Sequence, residues 1–218
     1  MNLKDFTTFF ALLIGLNIAG YLLNIGISLV WNKVYKHQST ITKKEVLSSI
    51  LTLFINIIIA IPGYILWIKG FITFNNQDPW LTFIILFLFL DILMYVLHWA
   101  SHNIVVLKKI HLQHHEHTEQ FNVVSLYYMS PWESILFGLL LTVVALLFSL
   151  NVYGFIAFLI YNWFYGVVTH LNTKLSKPYF LIFTTNYFHK NHHKLFSKNY
   201  GFYTILWDRL FKTESTNL

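Results

Sequence analysis

The sequence predicts an all-α fold, an integral membrane helical bundle of about four to five membrane helices. Three observations predict it. Of 218 residues, 56% are hydrophobic and only 11% are charged, a balance far from that of a soluble domain. The apolar residues gather into runs long enough to cross a bilayer, parted by polar, lysine-bearing segments. Nine of the eleven histidines fall into close groupings around those runs: His98 and His102; His111, His114 and His115; a lone His170; and His189, His192 and His193. That third observation adds a histidine-rich metal site to the membrane face of the bundle, because imidazole suits iron, copper and zinc and no thiolate competes.

The first apolar run, 6–31, is too long for a signal-peptide core and reads as a retained membrane helix. A polar loop, 32–45, leads to a second span over 46–67, where Pro62-Gly63 is tolerated because neighbouring helices satisfy the freed backbone groups. Asp78-Pro79 has the chemistry of a helix start, a side-chain acceptor followed by proline at the first helical position. A third span, 80–99, begins there, carries Asp91 near its middle and ends at His98 and His102. The apolar stretch 134–168 is too long for one crossing at about 1.5 Å per residue. With Ser149, Asn151 and Gly154 marking its turn, it reads as a tight hairpin of two helices that leaves and returns on one face. The chain divides into N-terminal membrane helices (1–79), a histidine-rich region (80–213) and a polar tail (214–218), all in one compact membrane domain. A bundle of this length leaves no room for an appended reductase, so electrons are expected from outside.

With that topology, the 32–45 loop, the loop after His102 and the tail share one side. Of the fifteen Lys and Arg residues, only Lys4 and Lys69 lie opposite, so the histidines and the C-terminus are expected on the cytoplasmic side. The net charge of +6 then reads as topology and attraction to anionic headgroups rather than nucleic-acid binding. Zero cysteines exclude disulfides, iron–sulfur clusters and thiolate-ligated haem. The isoleucine, asparagine and lysine bias suggests an AT-rich bacterial genome, hence a bacterial inner membrane.

His98 and His102 are one helical turn apart, so both imidazoles reach one metal. In each triplet, i and i+3 share a face and i+4 lies beside it, so two ligands are expected at one ion and the third at a second ion. Asp91, two turns before His98, reads as an acceptor that fixes a histidine tautomer, with a plain interhelical hydrogen bond as the alternative. Tyr95 reads as a donor behind the ligands or as packing.

These residues resemble the fatty acid hydroxylase/sterol desaturase superfamily of membrane di-iron enzymes. The order H-x3-H, H-x2-HH, H-x2-HH is similar to its histidine boxes. Asp91-x3-Tyr95-x2-His98, His115-x6-Asn122, Asn199-Tyr200-Gly201 and Trp207-Asp208-Arg209-Leu210-Phe211-Lys212-Thr213 resemble its flanking segments. The resemblance implies two iron ions held by His98, His102, His111, His114, His115, His170, His189, His192 and His193, with zinc as a substitute in purified protein. It also implies O2 as co-substrate, an external donor of the ferredoxin, cytochrome or reductase type, and hydroxylation of a membrane lipid (fatty acyl, sterol-like or carotenoid-like). Desaturation and ether-lipid oxidation are alternatives on the same fold. Trp99 departs from a common arginine, Lys174 from a histidine some members carry, and Ser130-Pro131-Trp132-Glu133 matches the family's H-P-x-E segment only in part.

His37 reads as a solvated surface residue. His117 reads as a partner behind the ligands or a surface histidine, with direct ligation as the alternative, and Asn172 as a hydrogen-bond partner of a metal-bound water or a helix cap. Trp163, Phe164 and Tyr165 line a lipid tunnel or simply pack. A non-enzymatic membrane metal-binding or transport protein is the alternative from another class. Against it, the histidines gather on one side instead of lining several spans, and a structural zinc site needs four ligands where this chain offers nine.

Overall fold

In the computed structural model, which describes residues 4–76, 78–118, 120–173 and 179–215, helix α1 (Phe6–Val34) starts where the Asp5 carboxylate accepts the Thr8 N–H at 2.8 Å. Its 29 residues extend about 43 Å at ~1.5 Å per residue, more than a hydrocarbon core needs. Helix α2 (Lys43–Ile68) opens on a reciprocal cap: Thr42 Oγ1 accepts the Glu45 N–H and Glu45 accepts the Thr42 N–H. It runs through Pro62 without a break.

Helix α3 (Pro79–Asn103) begins as its sequence requires, with Asp78 accepting the Trp80 N–H at 2.7 Å and proline at the first turn. An extended residue, Ile104, turns the chain into the short α4 (Val105–His111). Two 3-10 turns, His114–Glu116 and Ser125–Tyr127, carry it to α5 (Pro131–Leu147). The hairpin expected over 134–168 is present: α5 ends at Leu147, and α6 (Val152–Thr169) starts after an Asn151 cap that accepts the Tyr153 and Gly154 N–H groups. At the turn, β1 (Phe74–Asn75) pairs in parallel with β2 (Leu150–Asn151). Gly154 is required there, since a Cβ would meet the Pro79 carbonyl and sit 2.9 Å from Thr82 Cβ.

A short antiparallel pair, β3 (Tyr179–Phe180) and β4 (Phe183–Thr184), leads into α7 (Asn186–Leu195), and α8 (Leu206–Leu210) closes the chain. These two-residue strands are the only strand segments among the described residues, so the fold is nearly all-α, as the sequence predicts.

Four helices, α1, α2, α3 and α6, are long and apolar enough to cross a membrane, and α5 is a shorter apolar partner. The chain is an integral membrane protein. Leu86, Leu90, Val144, Leu150, Phe158 and Tyr203 form a core among α3, α5, α6 and the C-terminal segment, while Leu22, Leu23, Val30, Phe54 and Ile58 point outward. The end of α3, the start of α5 and the end of α6 all reach one end of the bundle, and α4, the 114–118 and 120–128 segments and α7 build a cap there.

Candidate metal centre

Nine buried imidazoles meet inside that cap, in two sets. His98, His102, His111, His115 and His192 form one, and His114, His170, His189 and His193 the other. Within each set, the candidate ligand atoms all lie within 4.8 Å of one another. The sets share a wall, with the His115 and His193 rings stacked at 4.4 Å.

The division within each triplet differs from the expected one. His111 and His115 serve one set while His114 serves the other, and His189 and His193 serve one while His192 serves the other. The i and i+4 residues therefore share a set and i+3 is the odd one out. In the first triplet the reason is local: α4 ends at His111, and the chain tightens into a 3-10 turn at 114–116 that swings His114 away. In α7 the helix is regular, and the i+3 residue His192 is drawn by the Lys198 carbonyl.

The ring orientation is set by the nitrogen that faces away from the centre. His98 Nδ1 lies 2.8 Å from the Tyr200 carbonyl, His192 Nδ1 2.7 Å from the Lys198 carbonyl, and His170 Nδ1 2.8 Å from the Gly166 carbonyl. His111 Nδ1 lies 2.7 Å from Glu133 Oε1. Carbonyl oxygens only accept, so Nδ1 of His98, His170 and His192 carries the proton and Nε2 of each presents a bare lone pair inward; His111 does the same when Glu133 is ionised.

The Nε2 atoms converge. Nε2–Nε2 separations are 3.0 Å for His111–His115, 3.1 Å for His115–His192, 3.2 Å for His170–His189 and 3.1 Å for His189–His193. Two ligands on one ion at about 2.0–2.1 Å stand roughly 2.8–3.4 Å apart for bond angles between octahedral and tetrahedral. Further buried nitrogens find no protein hydrogen bond: His98 Nε2, His115 Nδ1 and both nitrogens of His102 in the five-histidine set, and His114 Nδ1 and His193 Nδ1 in the other. Orphaned buried acceptors are costly, and a divalent cation in each set answers that cost. The residues fit two ions.

Electrostatics agree. Burial first, then repulsion from His98, pushes His115 down to about 3. Burial pushes His170 down to about 4 against the pull of the Gly166 carbonyl. Burial and neighbouring imidazoles hold His111, His114, His189, His192 and His193 far below the usual histidine range. Neutral imidazole is the form that ligates.

Four expected supporting residues stand elsewhere. Asp91 does not fix a histidine: Oδ1 accepts the Tyr203 and Thr204 N–H groups at 3.2 and 3.1 Å, and Oδ2 accepts Thr204 Oγ1 at 2.5 Å and Trp207 Nε1 at 2.9 Å. Two turns separate it from His98, and the C-terminal segment fills the gap. Tyr95 reaches Thr213 Oγ1 at 2.9 Å and stacks on Phe211, so it packs. His117 binds Glu45 and, at 2.8 Å, Ser125 Oγ, outside both sets. Asn172 neither caps a helix nor faces the centre. Its side chain takes both the N–H and the carbonyl of Phe121, at 2.8 and 2.5 Å, and the Asn32 side chain at 3.2 Å. Tyr165 donates to the Thr184 and Tyr203 carbonyls and Trp163 abuts Gly20. His37 is half-buried and outside both sets. Lys174 lies outside the described residues.

The sequence marked Glu133 only as part of a partial H-P-x-E match, with no role attached, and did not point to the carbonyls of Gly166, Lys198 and Tyr200. Glu133 had a signal: an acidic residue in the first turn of an apolar helix at the membrane boundary. Carbonyl acceptors carry none. Asp208 does leave a trace in the Trp207-Asp208 segment. It accepts the Tyr200 and Gly201 N–H groups at 2.8 and 2.7 Å and Thr213 Oγ1 at 2.7 Å, which holds the Tyr200 carbonyl on His98. Burial raises Asp208 to about 6.

A bundle of membrane helices capped by two buried histidine sets defines a membrane-embedded histidine-cluster protein. A family model for fatty acid hydroxylases matches residues 83–213, and the chain belongs to that family, within the fatty acid hydroxylase/sterol desaturase superfamily. No curated protein and no solved structure matches the chain.

Proposed function

We propose that the protein is a membrane di-iron oxygenase that hydroxylates a C–H bond of a membrane lipid. The observation that carries this reading is the pair of buried histidine sets whose Nε2 atoms converge at metal-ligand spacing. Two irons held there would supply O2 activation: a C–H bond, O2, two electrons and two protons become a C–OH group and water. The chain's own part is positional. The nine histidines hold the ions, while Glu133 and the Gly166, Lys198 and Tyr200 carbonyls fix ring direction. Phe121, buried against His170, His189 and His193, keeps water from the four-histidine set. The lysine distribution supports a cytoplasmic site, and the membrane-spanning helices below the cap suit a substrate arriving laterally from the bilayer.

Untargeted lipid mass spectrometry of iron-supplied cells tests this, with the wild type compared to a His111/His114/His115→Ala triple variant. A wild-type-only lipid heavier by one oxygen is expected. A lipid lighter by two hydrogens moves the chemistry to desaturation. Iron-loaded protein that transforms no lipid, even with dithionite as reductant, refutes the enzymatic reading.

A further inference from the structure

Residues 200–213 trace a descent and a return along α3. The Tyr200 carbonyl meets His98 Nδ1 at 2.8 Å, and the Tyr203 ring stacks on Phe87 with centroids 5.4 Å apart. Thr204 and Trp207 then reach Asp91, and Phe211 stacks on Tyr95. In chain order the contacts fall from His98 to Phe87 and climb back through Asp91 to Tyr95. A second turn reaches the same depth: Phe183 of β4 lies 6.3 Å from Phe87 and bridges Thr204, and the Ile205 N–H donates to the Ile182 carbonyl at 2.9 Å.

The depth follows from α3 itself. Trp80 and Trp99 are exposed near its two ends, where tryptophan marks the membrane interfaces. They stand about 28 Å apart at ~1.5 Å per residue, close to the roughly 30 Å of a hydrocarbon core. On the same rise, Asp91 lies about 12 Å and Phe87 about 18 Å inside the Trp99 level. The chemistry of both turns suits that depth. No charged residue occurs in 179–184 or 200–206. Non-helical backbone within a bilayer must be satisfied by protein, and here it is: Asp91 accepts the Tyr203 and Thr204 N–H groups, the Tyr165 hydroxyl lies 2.7 and 2.9 Å from the Thr184 and Tyr203 carbonyl oxygens, and the Thr184 hydroxyl donates to the Phe202 carbonyl. A carboxylate this deep is costly, and answering that backbone is what retains it.

The outward side is apolar. Phe180 and Leu181, at the tip of the β3–β4 hairpin, are each 71% exposed, and Ile182 and Phe183 beside them are exposed as well. A contiguous apolar patch of this kind marks a contact surface. We propose that residues 179–184 and 202–206 form a re-entrant element within the hydrocarbon layer, with Phe180 and Leu181 as a surface for lipid acyl chains on the side of the bilayer that carries the histidine cap. Depth selects the occupant: a hairpin level with the middle of α3 meets acyl chains before any soluble partner. The inference does not depend on the oxygenase reading, since it concerns where the segment lies and not what the centre does.

The chain has no cysteine, so single introduced cysteines report one place each. The full chain, supplied with iron, is labelled with a bimane fluorophore at Leu181→Cys or Phe180→Cys and placed in phosphatidylcholine nanodiscs, both faces of which are open to water. Leu88→Cys, exposed on α3, marks the hydrocarbon, and Lys109→Cys, exposed on α4, marks the aqueous side of the cap. Quenching is compared for phosphatidylcholine brominated at mid-chain, for phosphatidylcholine brominated next to the headgroup, and for aqueous iodide. Both tip labels should be quenched by mid-chain bromine as strongly as the Leu88 label, and by iodide several-fold less than the Lys109 label. Iodide quenching equal to that at Lys109 overturns the proposal, and so does quenching by headgroup-proximal bromine alone, which would put the hairpin at the interface. Two tip positions keep the test intact where one label disturbs folding.

Discussion

Replacing Asp91 with asparagine separates two accounts of the deepest acid in the bundle. Its carboxylate accepts four hydrogen bonds from residues 203–207, two on each oxygen. An amide with its oxygen at the Oδ1 position keeps both backbone N–H groups. Its NH2 group then faces Thr204 Oγ1, which can turn to accept, and Trp207 Nε1–H, which cannot. One buried donor is orphaned at a cost of about 1–3 kcal/mol, or roughly 2–12 °C in melting temperature at ~2–4 °C per kcal/mol for a chain of this size. The assay is a thermal melt in detergent beside iron titration of the same sample. Asp91→Asn should melt lower and bind iron with wild-type affinity. If Asp91 oriented a histidine, iron affinity would drop 10–100-fold at an unchanged melting point, and that result refutes the assignment.

Glu133→Ala leaves His111 Nδ1 without its buried acceptor and should lower iron affinity by about 10–100-fold, as iron titration would register. Gly201→Ala puts a Cβ against the Thr204 carbonyl and 2.7 Å from Asp208 Oδ2. The Tyr200 turn cannot absorb it, so the variant should melt several degrees lower and hold His98 less firmly, seen as reduced iron occupancy. The metal-free protein should lose stability as pH falls from about 7 towards 4. Unfolded histidines protonate near 6.5, while His115 and His170 wait until about 3 and 4, so the unfolded chain takes up protons first. At pH 5 each costs about 2 kcal/mol by linkage. Melts of metal-free protein that do not shift between pH 7 and 5 would contradict this.

The helices were legible because each rests on local chemistry: the Asp78-Pro79 start, the turn at Ser149 to Gly154, and the apolar length of each run. The nine histidines were legible as a set because few other roles need that spacing. Their division was not. It depends on α4 ending at His111 and on the Lys198 carbonyl drawing His192, and no residue type marks either. Asp91 misled for a related reason. A deep carboxylate announces that it has partners, but it does not say which segment, more than a hundred residues later, brings them. Asn172 is similar: an amide beside a candidate ligand looks like part of the centre, whereas its bonds to Phe121 make it a strut between loop and helix.

The cap's core is built from imidazoles where the bundle's is built from leucine and phenylalanine, so the two parts should respond differently to chelation. Segments from α3, α4, the 114–116 turn, the end of α6 and α7 all contribute histidines to the two sets. Without cations, their Nε2 atoms stand 3.0–3.2 Å apart, and each pair in which neither nitrogen carries a proton disfavours the packing that brings them together. Metal-binding energy is then folding energy for the cap, whereas the spans keep the apolar cluster around Leu86, Leu90 and Phe158. Chelator treatment should therefore raise hydrogen exchange in 105–128 and 186–196 and leave 82–94 protected, with far-ultraviolet helicity nearly preserved. Uniform protection before and after chelation would mean that the cap holds itself together, and that the converging imidazoles need no ion to explain them.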